Sequence, residues 1–284
     1  MHRPAVAEDF VSVIVPTKNS GRTLRRCLEA IREQRHAAVE IVVVDNFSTD
    51  DTARIAASLA DTFVRIGPER CAQRNAGLVR SRGAYVLFID SDMYLSPDTV
   101  EACLRACTAG VAGVILREAS FGEGFWSRCK AFERTFYLND RTVSAARFFR
   151  RELVVDIGGY DEEMIAGEDW DLSMRAEERG ALAFAETTIA HDEGRIVLRT
   201  QFRKKFYYGT TLGRFVTKHG RAGREKLSPA RSSLYKALFR LKDAPHVVIG
   251  MCVLKVVDLI GILCGLARSA TLAALRDRKP LRRR

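Results

Sequence analysis

The chain has 284 residues and a formal net charge of +11, enough length for one large domain, or one and a half, with an ample core. The charge is unevenly placed: from Arg195 onward there are 22 Lys and Arg against four Asp and Glu, which leaves 24 and 31 before it. An acidic body with a basic tail is not the pattern of a nucleic-acid-binding domain, whose charge follows a readable motif. The seven cysteines show neither C-x-x-C nor Cys/His zinc spacing and read as reduced thiols. Met1-His2-Arg3-Pro4 leads into a polar stretch without a signal-peptide pattern, so a cytoplasmic setting is expected.

Residues 10–15 are apolar and β-rich, and Pro16-Thr17-Lys18-Asn19-Ser20-Gly21 breaks them. Residues 23–32 have helical spacing, with Leu24, Cys27, Leu28 and Ile31 on one face. A second strand over 40–44 closes on Asp45-Asn46, and 48–60 form a helix with Asp50 and Asp51 in its first turn. A short strand at 64–66, a helix over 74–80 and a buried strand over 85–89 follow. That last run ends in Asp90-Ser91-Asp92. Residues 116–137 are aromatic and irregular, 144–149 return to the sheet, 158–162 form a turn, and a helix runs from Glu168 to about Glu178. After His191-Asp192-Glu193-Gly194 the composition changes, so a catalytic body is expected over 1–194 and a separate region over 195–284.

Strands alternating with helices make a parallel sheet covered by helices, and such sheets bind ligands at the carboxyl ends of their strands. The polar clusters fall at those ends: Thr17, Asp45, and Asp90 with Asp92. Two carboxylates one residue apart at a strand end are costly without a cation beside them. Hard oxygen ligands suit Mg²⁺ or Mn²⁺, which bind one or two carboxylates together with a substrate's phosphates.

Six stretches now stand in order: 11–19 (VSVIVPTKN), 41–50 (IVVVDNFSTD), 74–77 (RNAG), 90–92 (DSD), 158–162 (GGYDE) and 167–172 (GEDWDL). Together they resemble family 2 glycosyltransferases of the GT-A fold, over about residues 10–220. The resemblance implies an α/β architecture: a Rossmann-like mixed sheet flanked by helices, here followed by a basic and apolar helical C-terminal region. It also implies transfer of a sugar, with inversion, from a nucleotide-sugar to an acceptor hydroxyl. Cleaving a sugar–diphosphate bond requires a stabilised leaving group, which a divalent metal bridging the phosphates provides.

Asp92 is the first choice as the metal's protein ligand, and the resemblance places His191 beside it, as ligand or as hydrogen-bond donor. Asp90, with Ser91, is expected to meet the ribose or a metal-bound water. Asp169 matches the family's catalytic base, with helix N-terminal charge as the plainer role for Glu168 and Asp169. Glu168 and Trp170 would lie near the acceptor, Trp170 as a stacking platform or as ordinary core. Asp45 and Asn46 correspond to the acidic pair that holds uracil in relatives, with Asn at the second position here. Pro16 and Thr17 would line the base pocket, and Arg74, or Arg70 before it, would contact base or diphosphate.

The tail mixes cations with aromatics over 201–220, as interfacial helices do. Residues 246–267 are apolar but interrupted by Lys255 and Asp258, three apart and able to pair on one helix face. A membrane-associated hairpin or in-plane helices against an anionic cytoplasmic surface is expected, with a soluble helical subdomain as the alternative. The basic end 276–284 would stay on the cytoplasmic side. A glycan or lipid-linked acceptor follows from the resemblance. A nucleotidyltransferase would need a Gly-rich phosphate loop with a Lys, and a dinucleotide dehydrogenase a G-x-G-x-x-G after the first strand; neither is present. A membrane-bound scaffold that keeps the fold without turnover is the non-enzymatic alternative.

Overall fold

Each of the first apolar runs buries both of its faces, which is why they read as continuous rather than alternating. In β1 (Val11–Thr17), Val11, Val13 and Val15 enter one core while Ile14 enters a second on the opposite side of the sheet. Ile41 and Val43 of β2 (Val39–Asp45) pack into the first, Val42 and Val44 into the second. Leu87 of β4 (Tyr85–Phe88) joins the first core, and Val86 and Phe88 the second. This is a computed structural model, and it describes residues 9–35, 38–227, 242 and 244–277. The opening residues 1–4 and the terminal 278–284 lie outside the described residues.

Eight strands form one sheet in the order β3-β2-β1-β4-β7-β6-β8-β5. β3 (Thr62–Arg65), β2, β1 and β4 run parallel. β7 (Ala146–Arg150) returns antiparallel to β4, and β6 (Val111–Glu123) pairs antiparallel with β7. β5 (Met93–Tyr94) pairs antiparallel with β8 (Ala181–Arg195), Met93 facing His191 in the register. One core holds α1 (Leu24–Arg32), α2 (Thr52–Leu59) and α4 (Thr99–Ala106). The other holds α3 (Arg70–Arg80), α6 (Arg151–Asp156) and α7 (Glu168–Glu177).

The fold class agrees with the sequence reading, and the differences are local. The α3 helix begins at Arg70, so Arg74 lies a full turn inside it. The irregular aromatic stretch resolves into the end of β6 and a helix, α5 (Gly124–Thr135). After β8 come α8 (Leu198–Leu227), broken at Gly220 by a positive φ of 54°, and α9 (Pro245–Asp277).

The chain divides into two compact units. One comprises Met1–Phe121, Tyr137–Glu162 and Glu168–Glu193 and contains nearly all of the sheet; the other comprises Gly122–Phe136, Glu163–Gly167 and Gly194–Arg284. In the second, Cys129 of α5 packs with Met251 and Leu254 of α9. Lys255 and Asp258 do not pair with each other as their spacing suggested. Lys255 Nζ meets Glu133 of α5, while Asp258 accepts from Gln201 Nε2 at 2.6 Å and faces Lys205 Nζ at 3.5 Å, both on α8. Over 245–267 these are the two charged residues of an otherwise apolar stretch, and each finds its counter-group on a neighbouring helix.

Candidate active site

The loop after β1 is tied down before any ligand arrives. Asn19, at φ 49°, receives a hydrogen bond from Thr49 N at 2.9 Å, and its own N–H donates to Ser48 Oγ at 2.7 Å. Ser20 N donates to Thr52 Oγ1 at 2.7 Å and Gly21 N to Asp50 Oδ2 at 2.9 Å. The carboxyl ends of β1 and β2 are thereby locked together. Asp45, fully buried at the end of β2, accepts from Ser48 N at 3.0 Å and from Ser48 Oγ, and faces Arg65 Nε at 3.4 Å. Asn46 N donates to Thr17 O at 2.9 Å, and its Nδ2 donates to Pro68 O. Pro16 and Thr17 are buried beside them, and Thr17 Oγ1 has no hydrogen-bond partner.

Past β4 the chain turns through Asp90-Ser91-Asp92, with Met93 N donating to Asp90 O at 3.0 Å. Ser91 Oγ donates to Ser20 Oγ at 2.8 Å, which fastens this turn to the loop after β1. The Asp92 carbonyl accepts from Asp192 N at 2.9 Å. Strand β8 thus brings His191 to Asp92, Nε2 to Oδ2 at 3.6 Å. The other ring nitrogen, Nδ1, is buried without a hydrogen bond, 3.6 Å from Glu118 and 4.0 Å from Glu193. Burial opposes charge on this imidazole, but Asp92, Glu118 and Glu193 outweigh it and push its pKa up to about 10. Asp92 remains 41% exposed. Among the described residues no group of three or more His, Cys, Asp and Glu is arranged to hold a metal ion. The pair Asp92 and His191, in a carboxylate-rich setting, nevertheless offers the donor types that Mn²⁺ accepts.

Arg74 is fully buried, and its guanidinium gathers three predicted site residues. NH2 donates to Asp90 Oδ1 at 2.8 Å, while NH1 donates to Asp169 Oδ1 at 2.8 Å and to Glu168 Oε1 at 3.4 Å. The Tyr160 ring lies 4.9 Å from the guanidinium carbon. Arg74 is therefore a bridge between carboxylates and reaches the strand ends through Asp90, not through an exposed guanidinium. Burial would raise the Asp90 pKa, but Arg74 and Arg147 hold it well below the usual carboxylate range. Glu168 goes the other way: burial and neighbouring Asp169 push it up despite Arg70 at 3.2 Å and Arg74.

The neighbouring motif residues explain the rest of the Arg-Asn-Ala-Gly stretch. Asn75 accepts from Tyr160 N at 2.8 Å and donates to Tyr160 O and Glu162 Oε1, each at 2.9 Å, holding the turn at Gly158-Gly159. Gly77 lets α3 close on Ile14 of β1, where a Cβ would collide. Trp170 donates its indole N–H to Val143 O at 3.0 Å and is half-buried.

Two charged groups of this site escaped the sequence reading. Arg147, on β7, pairs with Glu118 at 2.9 Å and approaches Asp90 at 3.6 Å, its NH1 buried without a hydrogen bond. Glu118, on β6, lies against both Arg147 and His191. Glu118 follows an apolar run much as Asp90 does, and that was the available signal.

Comparison with known proteins bears on the family and the fold. The family described as "Glycosyl transferase family 2" matches residues 12–160, from β1 through the Gly-Gly-Tyr turn. The pre-mycofactocin glycosyltransferase of Mycobacterium tuberculosis is 30% identical over 231 residues, 74% of this chain and 48% of that protein. The chain thus spans about half the length of that relative. The mannosyltransferase PcManGT from Pyrobaculum calidifontis, solved with GDP-Man and Mn²⁺, superposes with a TM-score of 0.56 at 20% identity, over 98% of this chain and 79% of that one. Glucosyl-3-phosphoglycerate synthase from Mycobacterium tuberculosis, solved with Mn²⁺, UDP and glucosyl-3-phosphoglycerate, gives 0.51 at 20% identity, over 78% and 86%. These likenesses show a GT-A-like fold. With its motifs set along the carboxyl edge of that sheet and half of its length matched, the chain belongs to glycosyl transferase family 2.

Proposed function

We propose that this chain moves a sugar from a nucleotide-diphosphate donor, of which a UDP-sugar is the first candidate, to a hydroxyl of a glycan or lipid-linked acceptor, with inversion. One observation carries the reading: Arg74 holds Asp169 and Asp90 on a single guanidinium, while β8 sets His191 beside Asp92. In this reading a base and a diphosphate site would share one edge of the sheet. The nucleotide would lie against Pro16, Thr17, Asp45 and Asn46, where Thr17 Oγ1 is buried without a hydrogen-bond partner. Asp90 and Ser91 would face the ribose. The orphaned Arg147 NH1 adds a cation beside Asp90.

Asp92 and His191 would hold Mn²⁺ or Mg²⁺, whose coordination the diphosphate would complete, and the metal would supply positive charge to the departing nucleotide. The relatives whose structures hold Mn²⁺ with GDP-Man or UDP support this reading. Arg74 NH1 engages Asp169 Oδ1, which leaves Oδ2 to take the proton of the acceptor hydroxyl as it attacks the anomeric carbon. Inversion follows from a single displacement with one base. Glu168 and Trp170 flank that base in sequence and would bound the acceptor.

A thermal-shift titration against UDP, GDP and dTDP, each with and without Mn²⁺, tests the donor site. Stabilisation by one nucleotide that requires the metal is expected; no shift with any of them overturns the reading. The second unit would bring the protein to an anionic membrane surface, on the cytoplasmic side if the basic end obeys the positive-inside rule. Residues Pro245–Leu272 are long and apolar enough to cross a bilayer by length and composition, which supports association without fixing its form.

A further inference from the structure

We propose that α9 lies in the plane of an anionic bilayer, with its outer stripe among the acyl chains of one leaflet, and does not cross it. This inference rests on the membrane association proposed above and names the face that makes it. Ile249, Val253, Val256, Ile260 and Leu263 are all exposed and recur every four and three residues along one side of the helix. Val248, Met251, Leu254, Gly261 and Gly265 lie on the opposite side and are buried.

Between residues 245 and 267 the only charged side chains are Lys255 and Asp258, and both are bound inward, to Glu133 and to Gln201 with Lys205. The outer face therefore carries no charge along roughly 34 Å of helix. A second copy or another helix docking in water on a four-three stripe would be expected to meet charged flanks. Here the flanking Cys252, Val257, Leu259 and Cys264 are uncharged. Hydrocarbon is the occupant that this surface fits.

Crossing is opposed by what packs alongside. The α8 helix runs parallel to the C-terminal half of α9: Gln201 meets Asp258, Lys205 lies against Gly261, Phe206 and Gly209 against Gly265, and Gly213 against Leu266. The glycines allow close backbone approach, so the two helices keep the same depth. That part of α8 exposes Arg199, Arg203 and Lys204, which a crossing helix would drag into the hydrocarbon. An in-plane α9 keeps them at the level of headgroups and water, and the excess of cations after Arg195 favours an anionic surface.

The test uses the full chain with Cys252→Ser and Cys264→Ser, which leaves five buried native cysteines, and one added exposed cysteine at 249, 256 or 263 carrying a fluorophore. Vesicles of phosphatidylcholine with phosphatidylglycerol carry nitroxide quenchers at shallow or deep positions. Equal, shallow quenching at all three positions is expected. A graded depth, differing by roughly 20 Å between 249 and 263, means that α9 crosses and overturns the proposal. No quenching by lipid overturns it too, with a doubled mass in solution pointing to a second copy. Ile260→Asp is expected to lower vesicle partitioning roughly tenfold or more while keeping the metal-dependent nucleotide shift. Vesicle binding without any nucleotide shift would instead remove the transferase reading and leave the docking face standing.

Discussion

A guanidinium with no exposed surface must find its counter-charge inside the protein, and Arg74 finds it on Asp90, Asp169 and Glu168. Removing it leaves those carboxylates close together without their shared cation. Arg74→Met is expected to cost about 3–5 kcal/mol of stability, measured by chemical denaturation. Arg74→Lys keeps the charge but not the fork that grips two carboxylates at once. It is expected to fold, to bind donor nearly as wild type, and to lose kcat rather than raise KM; an unchanged kcat would separate Asp169 orientation from Arg74. Asp169→Asn is expected to lower transfer by about 10²–10⁴-fold while the nucleotide-dependent thermal shift persists. Asp92→Asn should do the reverse, removing the metal-dependent part of nucleotide binding first.

At the scale of elements, α3 places Arg74 because it closes tightly on β1 at Gly77. Gly77→Ala is expected to destabilise by about 1–3 kcal/mol through overpacking against Ile14. Ile14→Val should recover part of that loss in the double variant, because the collision is with the isoleucine side chain. This arrangement shows what was legible beforehand. The strands and the acids ending them were readable because a strand's pattern is local: Thr17, Asp45 and Asp90 declare themselves by following apolar runs. The buried face of α1 was readable from spacing alone, and Leu24, Cys27, Leu28 and Ile31 are all buried. The partners of Arg74 were not, since Glu168 and Asp169 lie more than ninety residues away and only the topology brings α7 to α3. The α5 helix does carry a stripe, Phe125, Cys129, Phe132 and Phe136 at helical spacing, but the aromatic run over 116–137 also takes in the end of β6, and a strand period followed by a helix period reads as irregular when taken as one stretch. Lys255 and Asp258 offered each other as partners by spacing, yet both take partners from other helices.

On the scale of the whole molecule, stability against pH records which charges folding has buried. Lys205 faces Asp258, Lys130, Lys204 and Glu133 across α5, α8 and α9. Burial, reinforced by the two lysines, outweighs the acids and lowers its pKa from 10.5 to about 8. A lysine depressed by folding destabilises the folded state wherever it is protonated there. That cost is complete below pH 8, shrinks as pH rises from about 8 to 10.5, and vanishes above, because the unfolded chain then holds more protons than the folded one across that window. Other groups titrate in the same range, so the informative quantity is the difference between wild type and Lys205→Met. Asp258 keeps its hydrogen bond from Gln201 in that variant, so it is not left without a partner. The gap in unfolding free energy between the two proteins is expected to change by on the order of 2 kcal/mol between pH 7.5 and 10, in favour of wild type as pH rises, once the partial exposure of the amine is allowed for. A gap that stays constant with pH would show that Lys205 remains as freely charged in the folded chain as in the unfolded one. The cluster joining α5, α8 and α9 would then be hydrated, and the inward turn of the charges on α9 would have to be explained by water and not by their partners.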